Sequence, residues 1–227
     1  MPLQQPKNRF PNLVFLKLNG TSSIRSNIRQ IAMTMTLRFG EQCLVTPIGK
    51  VRFGLKRGEL KLKLIDGTMA LEEMGLTTPF TIEIGVEEQK EQGGETEINI
   101  ATSVGIKARS INKAGTKTTH KTYQCHTGGT EEDPIWVFHA ETENPPILLG
   151  QLTEESLGTV KPTKIPCRMK ATFEVPRQSA LYLIGSDGIL WAKDLERNKT
   201  ALLAIFFFKK FIQPKLKPYL SQIEGSV

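Results

Sequence analysis

The side chains best suited to bind a metal lie in one short stretch of the sequence. His120, Cys125 and His126 fall within seven residues, and imidazole and thiolate are common ligands of zinc. His120 and Cys125 are an odd number of residues apart, so on a strand they would point to opposite faces of the sheet. No fourth ligand follows at a spacing typical of zinc sites. We therefore predict no metal site and no cofactor.

Residues that could perform catalysis are also few. His139 follows Trp136 and Phe138 in an apolar stretch, where a structural histidine is a simpler interpretation than a general base. The glycine-rich stretch 185–188 lacks the flanking pattern of a nucleophile elbow. The sequence has no phosphate-binding glycine motif and no HExxH motif. We expect a protein that is not an enzyme, with an active site assembled from distant residues as the open alternative.

Basic residues form the clearest binding pattern. In the stretch 50–65, apolar and basic residues alternate on both sides of Arg57-Gly58, which predicts two strands joined by a two-residue turn. This hairpin would bury its apolar residues and gather its basic residues on the solvent face. The strand predicted over 167–175 would extend that face if it joined the same sheet. The predicted basic face consists of Lys50, Arg52, Lys61, Lys63, Arg168 and Lys170.

The predicted basic face suits an anionic partner. Like charges directly opposite each other on paired strands cost roughly 0.2–1 kcal/mol, and a phosphate backbone would reward such a face through counterion release. Aromatic platforms for stacking bases are missing from the face, because Phe53 and Phe173 fall on the buried side. Docking by charge alone, to nucleic acid or to an acidic protein surface, is then the prediction. A solvated sheet face is the alternative.

Charge also alternates in blocks along the chain. Residues 1–65 hold 12 Lys and Arg against 2 Asp and Glu, whereas residues 66–98 hold 1 against 9. These blocks either neutralise one another within the fold or form opposite patches that engage neighbouring subunits. In the second case, two acidic loops are predicted to be the subunit contacts. Their predicted interface residues are Glu87, Glu88, Glu91, Glu131, Glu132 and Asp133.

The last predicted element differs from the rest. The stretch 201–208 is apolar on every side, which predicts a buried helix that Pro214 would end. Packing on the sheet, a subunit contact and contact with a membrane surface are the three interpretations. Its predicted contact residues are Phe206, Phe207, Phe208 and Phe211.

Most other segments show the period-2 alternation of strands. We predict a mainly β chain, an antiparallel β-sandwich or jelly-roll-like domain with a C-terminal helix, and an α+β layout as the alternative. The predicted divisions are an extended N-terminal arm over 1–11, a β-rich domain over 12–193, and a C-terminal helix and tail over 194–227. Within the β-rich domain we expect a short helix over 22–31.

Four further local predictions concern strand ends and edges. Asn19-Gly20 is expected to close the first strand as a turn. The lysine-rich stretch 116–125 is predicted to be an edge strand. Residues 159–166 are predicted to be an extended linker, and 185–188 a hairpin loop.

Composition indicates the kind of partner, the state of the cysteines and the cellular location. The chain has 227 residues, a formal net charge of +7 and three cysteines, which favours acidic partners and reduced thiols rather than a disulfide framework. The first residues lack the apolar core of a signal peptide, and no apolar run reaches the length of a membrane span. A cytoplasmic location is the resulting prediction.

Together these patterns predict a non-catalytic interaction or assembly subunit that docks through alternating basic and acidic patches. A protein partner or a second copy of the chain is the expected partner. Binding to a nucleic-acid backbone and peripheral attachment to a membrane are the two alternatives.

Overall fold

The described residues fold into three antiparallel sheets. The computed structural model describes residues 7–25, 28–46, 49–77, 79–86, 117–140, 145–187, 202 and 205–227. The described strands are β1 (Lys7–Asn8), β2 (Val14–Arg25), β3 (Ile28–Phe39), β4 (Gln42–Thr46), β5 (Gly49–Leu55), β6 (Arg57–Leu64), β7 (Gly67–Met69), β8 (Phe80–Val86), β9 (Lys117–Gly129), β10 (Pro134–His139), β11 (Gly150–Pro162), β12 (Arg168–Glu174), β13 (Leu181–Asp187) and β14 (Ser221–Ser226). Short 3-10 turns cover Leu71–Glu73 and Gln178–Ala180.

Strand pairing defines the layers. The seven-stranded sheet has the order β1-β14-β12-β6-β10-β9-β8, the four-stranded sheet β2-β3-β11-β7, and the three-stranded sheet β13-β5-β4. Phe39 of the four-stranded sheet packs against Phe138 and Phe173 of the seven-stranded sheet, with ring centroids 5.6 and 5.9 Å apart. The prediction of a mainly β, sandwich-like fold with a short C-terminal helix is confirmed.

The predicted basic hairpin does not form. Lys56 alone separates β5 from β6, yet β5 pairs with β4 and β13, whereas β6 pairs with β10 and β12. The alternation correctly indicates the buried side chains, since Val51, Phe53 and Leu55 are buried in β5 and three leucines are buried in β6. What the pattern could not show is that the chain turns a corner at Lys56 and enters another sheet.

The helix predicted over 22–31 is also wrong. β2 and β3 form a continuous antiparallel pair from Val14↔Phe39 to Arg25↔Ile28. Cross-strand pairing along this whole length overrides the helical spacing of the isoleucines. Asn19 and Gly20 lie inside β2 rather than in a turn, and a Cβ on Gly20 would come within 2.7 Å of the side chain of Val227.

Three other local predictions are corrected. β9 is not an edge strand, because it lies between β8 and β10; its outer face is polar because it faces solvent. The predicted linker over 159–166 instead begins as the end of β11, which runs to Pro162. Residues 185–187 of the predicted hairpin loop belong to β13.

Both ends of the described chain join the same edge of the seven-stranded sheet. β1 pairs with β14, and β14 pairs with β12. Phe10, within the predicted arm, is buried in the core. The C-terminal tail therefore supplies a strand that the polar sequence SQIEGS did not indicate.

The C-terminal helix runs further than predicted. A π-helical turn, Phe208–Ile212, continues into an α-helical turn, Gln213–Leu216. Pro214 does not end the helix. It is the second residue of the α-helical turn, where the fixed φ of proline is compatible with helical backbone.

Candidate docking surface at the C-terminal helix

The six residues of the predicted basic face lie in two different sheets. Lys50 and Arg52 belong to β5 in the three-stranded sheet. The other four lie on β6 and β12, which are neighbours in the seven-stranded sheet, and Lys63 is directly opposite Lys170. The expected extension from β6 onto β12 is therefore correct, whereas the expected proximity to Lys50 and Arg52 through a hairpin is wrong.

Carboxylates neutralise most of this face. Lys61 contacts Glu174 at 2.7 Å, Lys170 contacts Glu224 at 3.1 Å, and Arg52 lies 3.8 Å from Glu41. Sequence reasoning missed Glu224 because it belongs to β14, a strand without an apolar alternation. The outer face of the seven-stranded sheet therefore carries positive side chains paired with negative ones.

Asp66 and Arg168 form the most complete of these ion pairs. Arg168 Nε donates to Asp66 Oδ2 at 2.6 Å and Nη2 donates to Oδ1 at 3.2 Å, while the Arg168 backbone N–H also donates to Oδ2. The hydrogen bonds from the Arg168 side chain lower the pKa of Asp66, against the opposing effect of burial. The same bonds raise the pKa of Arg168. This pair links the segment just after β6 to the first residue of β12.

The Asp66–Arg168 pair should make stability sensitive to acid. A carboxyl group whose pKa is lowered by folding stabilises the native state above its unfolded pKa, about 3.9, and loses this effect as the pH falls through the native value. We expect the melting temperature of the wild type to fall more steeply below about pH 4 than that of Asp66→Asn. Thermal melts from pH 7 to pH 2 measure this.

Asp133→Asn is the matched control for that experiment. Asp133 is exposed, and its carboxylate contacts no cation in the described part of the chain. The melting temperature of Asp133→Asn should fall with decreasing pH as steeply as that of the wild type. Identical slopes for Asp66→Asn and the wild type would show that the ion pair does not produce the acid sensitivity.

The acidic loops are only partly described. Glu87, Glu88 and Glu91 lie outside the described residues. The other three predicted interface residues, Glu131, Glu132 and Asp133, are exposed between β9 and β10. Their turn is anchored by its main chain, because Leu64 N–H donates to Glu132 O at 2.7 Å and Met69 N–H donates to Glu131 O at 2.9 Å.

The structure separates the ligands of the rejected metal cluster. Cys125 is buried, and burial raises the pKa of its thiol to about 12, whereas His126 is exposed on the opposite face. Instead, His126 lies beside His139 of β10, with ring centroids 5.4 Å apart. Among the described residues, no three His, Cys, Asp or Glu side chains are grouped closely enough to hold a metal.

The C-terminal helix is buried on one face and exposed on the other. Phe207, Phe208 and Ile212 belong to the core, and Phe211 is half-buried. In contrast, the exposed fractions are 67% for Leu202 and 50% for Phe206. The prediction that this helix is buried on all sides is therefore wrong for the outer face.

The outer residues follow the helical repeat. Residues 202 and 205–207 are α-helical, and the exposed residues 205 and 206 follow residue 202 by three and four positions, the spacing of one helix face. Residues 209 and 210, in the π-helical turn that follows, are exposed as well. Three apolar residues are followed by two lysines. We call this set the helix stripe: Leu202, Ile205, Phe206, Lys209 and Lys210.

Cations lie beside the apolar part of the helix stripe and at the end of the helix. Lys210 Nζ lies 5.4 Å from the centroid of the Phe206 ring. Arg9 donates to the main-chain oxygen atoms of Lys215 and Lys217, which places its charge beside the end of the helix. We call these cations the basic collar: Arg9, Lys209, Lys210, Lys215 and Lys217. In the described part of the chain, no carboxylate forms an ion pair with any of them.

The helices of the described residues are too short or too polar to cross a bilayer.

Comparisons with known protein families and with curated proteins each found no match. Among solved structures, the chain is similar to Clostridium perfringens delta-toxin at 10% identity and a TM-score of 0.29, over 76% of this chain and 81% of that one. It is also similar to the Clostridium perfringens NetB toxin in the membrane-inserted form, at 6% identity and a TM-score of 0.28, over 77% of this chain and 93% of that one.

Proposed function

We propose that this protein is a non-catalytic interaction protein that attaches to an anionic membrane surface through the helix stripe and the basic collar. The observation that supports the proposal is the exposure of Leu202 and Phe206 close to two exposed lysines, Lys209 and Lys210, with Lys210 Nζ 5.4 Å from the centre of the Phe206 ring. A helix lying in the membrane interface has this combination of an apolar and a basic surface.

The small size of the apolar surface favours a lipid partner over a protein partner. A stable protein interface buries about 800 Å² on each partner, and three partly exposed side chains provide much less apolar area. A bilayer needs no matching groove, since acyl chains adapt to whatever shape enters them. Phe206 and Leu202 can enter the headgroup boundary while the opposite face of the helix stays in the core.

The charge around the helix favours an anionic bilayer. Each Lys or Arg near an anionic leaflet contributes about 1 kcal/mol of attraction. The basic collar brings its cations to one place without neutralising carboxylates among the described residues, and the lysines can reach phosphate groups while Phe206 lies deeper. Binding should therefore require negatively charged lipid and should weaken as salt is added.

Docking through alternating charged patches and binding to a nucleic-acid backbone receive less support. Four of the six basic-face residues already contact carboxylates of the same chain. These contacts reduce the charge that the face can offer to a partner. Binding of nucleic acid or of a copurifying protein, in place of vesicles, would support these functions instead.

The test of the apolar part of the stripe is Phe206→Ser in co-sedimentation with vesicles of phosphatidylcholine and phosphatidylserine. Because Phe206 is half exposed, its insertion contributes about half of the 1.5–3 kcal/mol available to a fully buried aromatic side chain. We expect binding to weaken by about 4-fold to 13-fold. Val45→Ser is the control, since Val45 is 70% exposed on another part of the fold.

The basic part is tested with Lys209→Gln/Lys210→Gln, which should weaken binding by about thirtyfold at low salt. Lys63→Gln/Lys164→Gln removes the same charge from exposed positions elsewhere. It should weaken vesicle binding less than Lys209→Gln/Lys210→Gln does. Circular dichroism and melting temperatures verify that all variants fold. Equal losses in the stripe and control variants, or binding to nucleic acid or a copurifying protein in place of vesicles, would refute the proposal.

A further inference from the structure

A second surface feature, independent of the C-terminal helix, is an open cleft at the corner between β5 and β6. Its volume is about 620 Å³, within the usual range of about 300–1,000 Å³ for small-molecule sites. Pro146 and Pro176 form part of its wall, and the charged residues of the lining are Lys56, Arg57, Glu59 and Arg177. From the chemistry of this lining we infer that the cleft binds a small organic phosphate.

The charge balance of the cleft is positive. Its three cations face one carboxylate, Glu59, which already contacts Arg57 at 3.2 Å and Lys61 at 3.9 Å. In the described part of the chain, the side chains of Lys56 and Arg177 contact no carboxylate. Two cations of the cleft are therefore available to an anion.

Main-chain hydrogen bonds hold these two residues in place. Lys56 N–H donates to Ala180 O at 2.7 Å, and Lys56 O accepts from Ala140 N–H at 2.9 Å. Arg177 O accepts from Ala180 N–H at 3.0 Å, so Ala180 connects the two segments. These bonds fix the backbone from which the Lys56 and Arg177 side chains extend towards the cleft.

The side chains match a phosphate monoester. An arginine guanidinium offers paired N–H donors to two phosphate oxygens, and a lysine adds a compact positive charge. Ser179 also lines the cleft and supplies a hydroxyl donor. Pro146 and Pro176 give the organic part of the molecule an apolar wall. A ligand that combines a phosphate group with a short organic group uses all of these features.

Isothermal titration of the intact chain with glycerol 3-phosphate and with inorganic phosphate tests the inference. We expect saturable binding that weakens at least tenfold in Arg177→Gln and in Lys56→Gln. Lys164→Gln, which removes one positive charge from an exposed position outside the cleft, should leave binding within twofold of the wild type. Both cleft residues have exposed or half-exposed side chains, and melting temperatures confirm that the variants fold.

A parallel arm with vesicles containing phosphatidic acid distinguishes a lipid headgroup from a soluble phosphate ester. Weaker binding in the cleft variants but not in the control variant supports the site. The arm in which this loss occurs identifies whether the phosphate comes from a soluble ester or a lipid headgroup. Equal weakening in cleft and control variants, or no binding in both arms, overturns it. Phe206→Ser should bind glycerol 3-phosphate like the wild type, so the outcome is independent of the proposed membrane contact.

Discussion

Replacing Ile223 by alanine should lower the free energy of unfolding by about 2–5 kcal/mol, the usual cost of truncating a fully packed isoleucine. Ile223 lies in β14 and is 2% exposed. Its strand is paired on both sides, with β1 and with β12. The C-terminal tail is thus a structural strand of the seven-stranded sheet. Urea denaturation of the intact chain measures the change.

Glu224→Ala is the control for Ile223→Ala, because Glu224 is the next residue of the same strand and is exposed. Its contact with Lys170 is a surface ion pair, for which a contribution of about 0–1 kcal/mol is typical. If Ile223→Ala were as stable as Glu224→Ala, β14 would be a dispensable tail rather than part of the sheet.

Gly58→Ala should destabilise the chain by about 1–3 kcal/mol through overpacking. A Cβ on Gly58 would lie 2.5 Å from Cε1 of Phe173. The ring cannot move away easily, since it is fully buried and packs against Phe39 and Phe138. Urea denaturation of Gly58→Ala, Phe173→Leu and the double variant measures the three free energies.

The double variant distinguishes close packing from a turn. Phe173→Leu removes the ring atoms that the new methyl group would meet, so the two changes together should cost less than the sum of the separate effects. If Gly58 instead provided a turn conformation, as the sequence suggested, the side chain at position 173 would not alter its cost. Additive free energies would therefore contradict the packing explanation.

The sequence predicted the faces of the strands better than their partners. In 167–175 and in 50–65 the alternation identified the buried side chains correctly, because burial on one side of a strand imposes a period of two wherever that strand lies. It could not reveal that β5 and β6 enter different sheets. Pairing depends on contacts far apart in sequence, and the single residue Lys56 left no recognisable signal for a corner.

Contacts between residues far apart in sequence also explain why two features of the candidate surfaces were not predicted. The basic residues were identified, but their neutralisation by Glu224 and Asp66 was not, since the first lies in a strand with a polar sequence and the second just beyond a strand end. The C-terminal helix was identified from its apolar residues. Its exposed face was not predicted, because a helix that is apolar on every side gives no sign of which side the core covers.

The most direct test of membrane attachment is the depth of position 206 in a bilayer. Phe206→Trp places a fluorescent indole in the helix stripe, and the wild type, with its two native tryptophans, gives the background. With phosphatidylserine vesicles that carry brominated acyl chains, we expect stronger quenching in Phe206→Trp than in the wild type, and no such difference with neutral vesicles. Equal quenching in the two proteins when both are vesicle-bound would show that another surface makes the contact, and would contradict membrane attachment through the helix stripe.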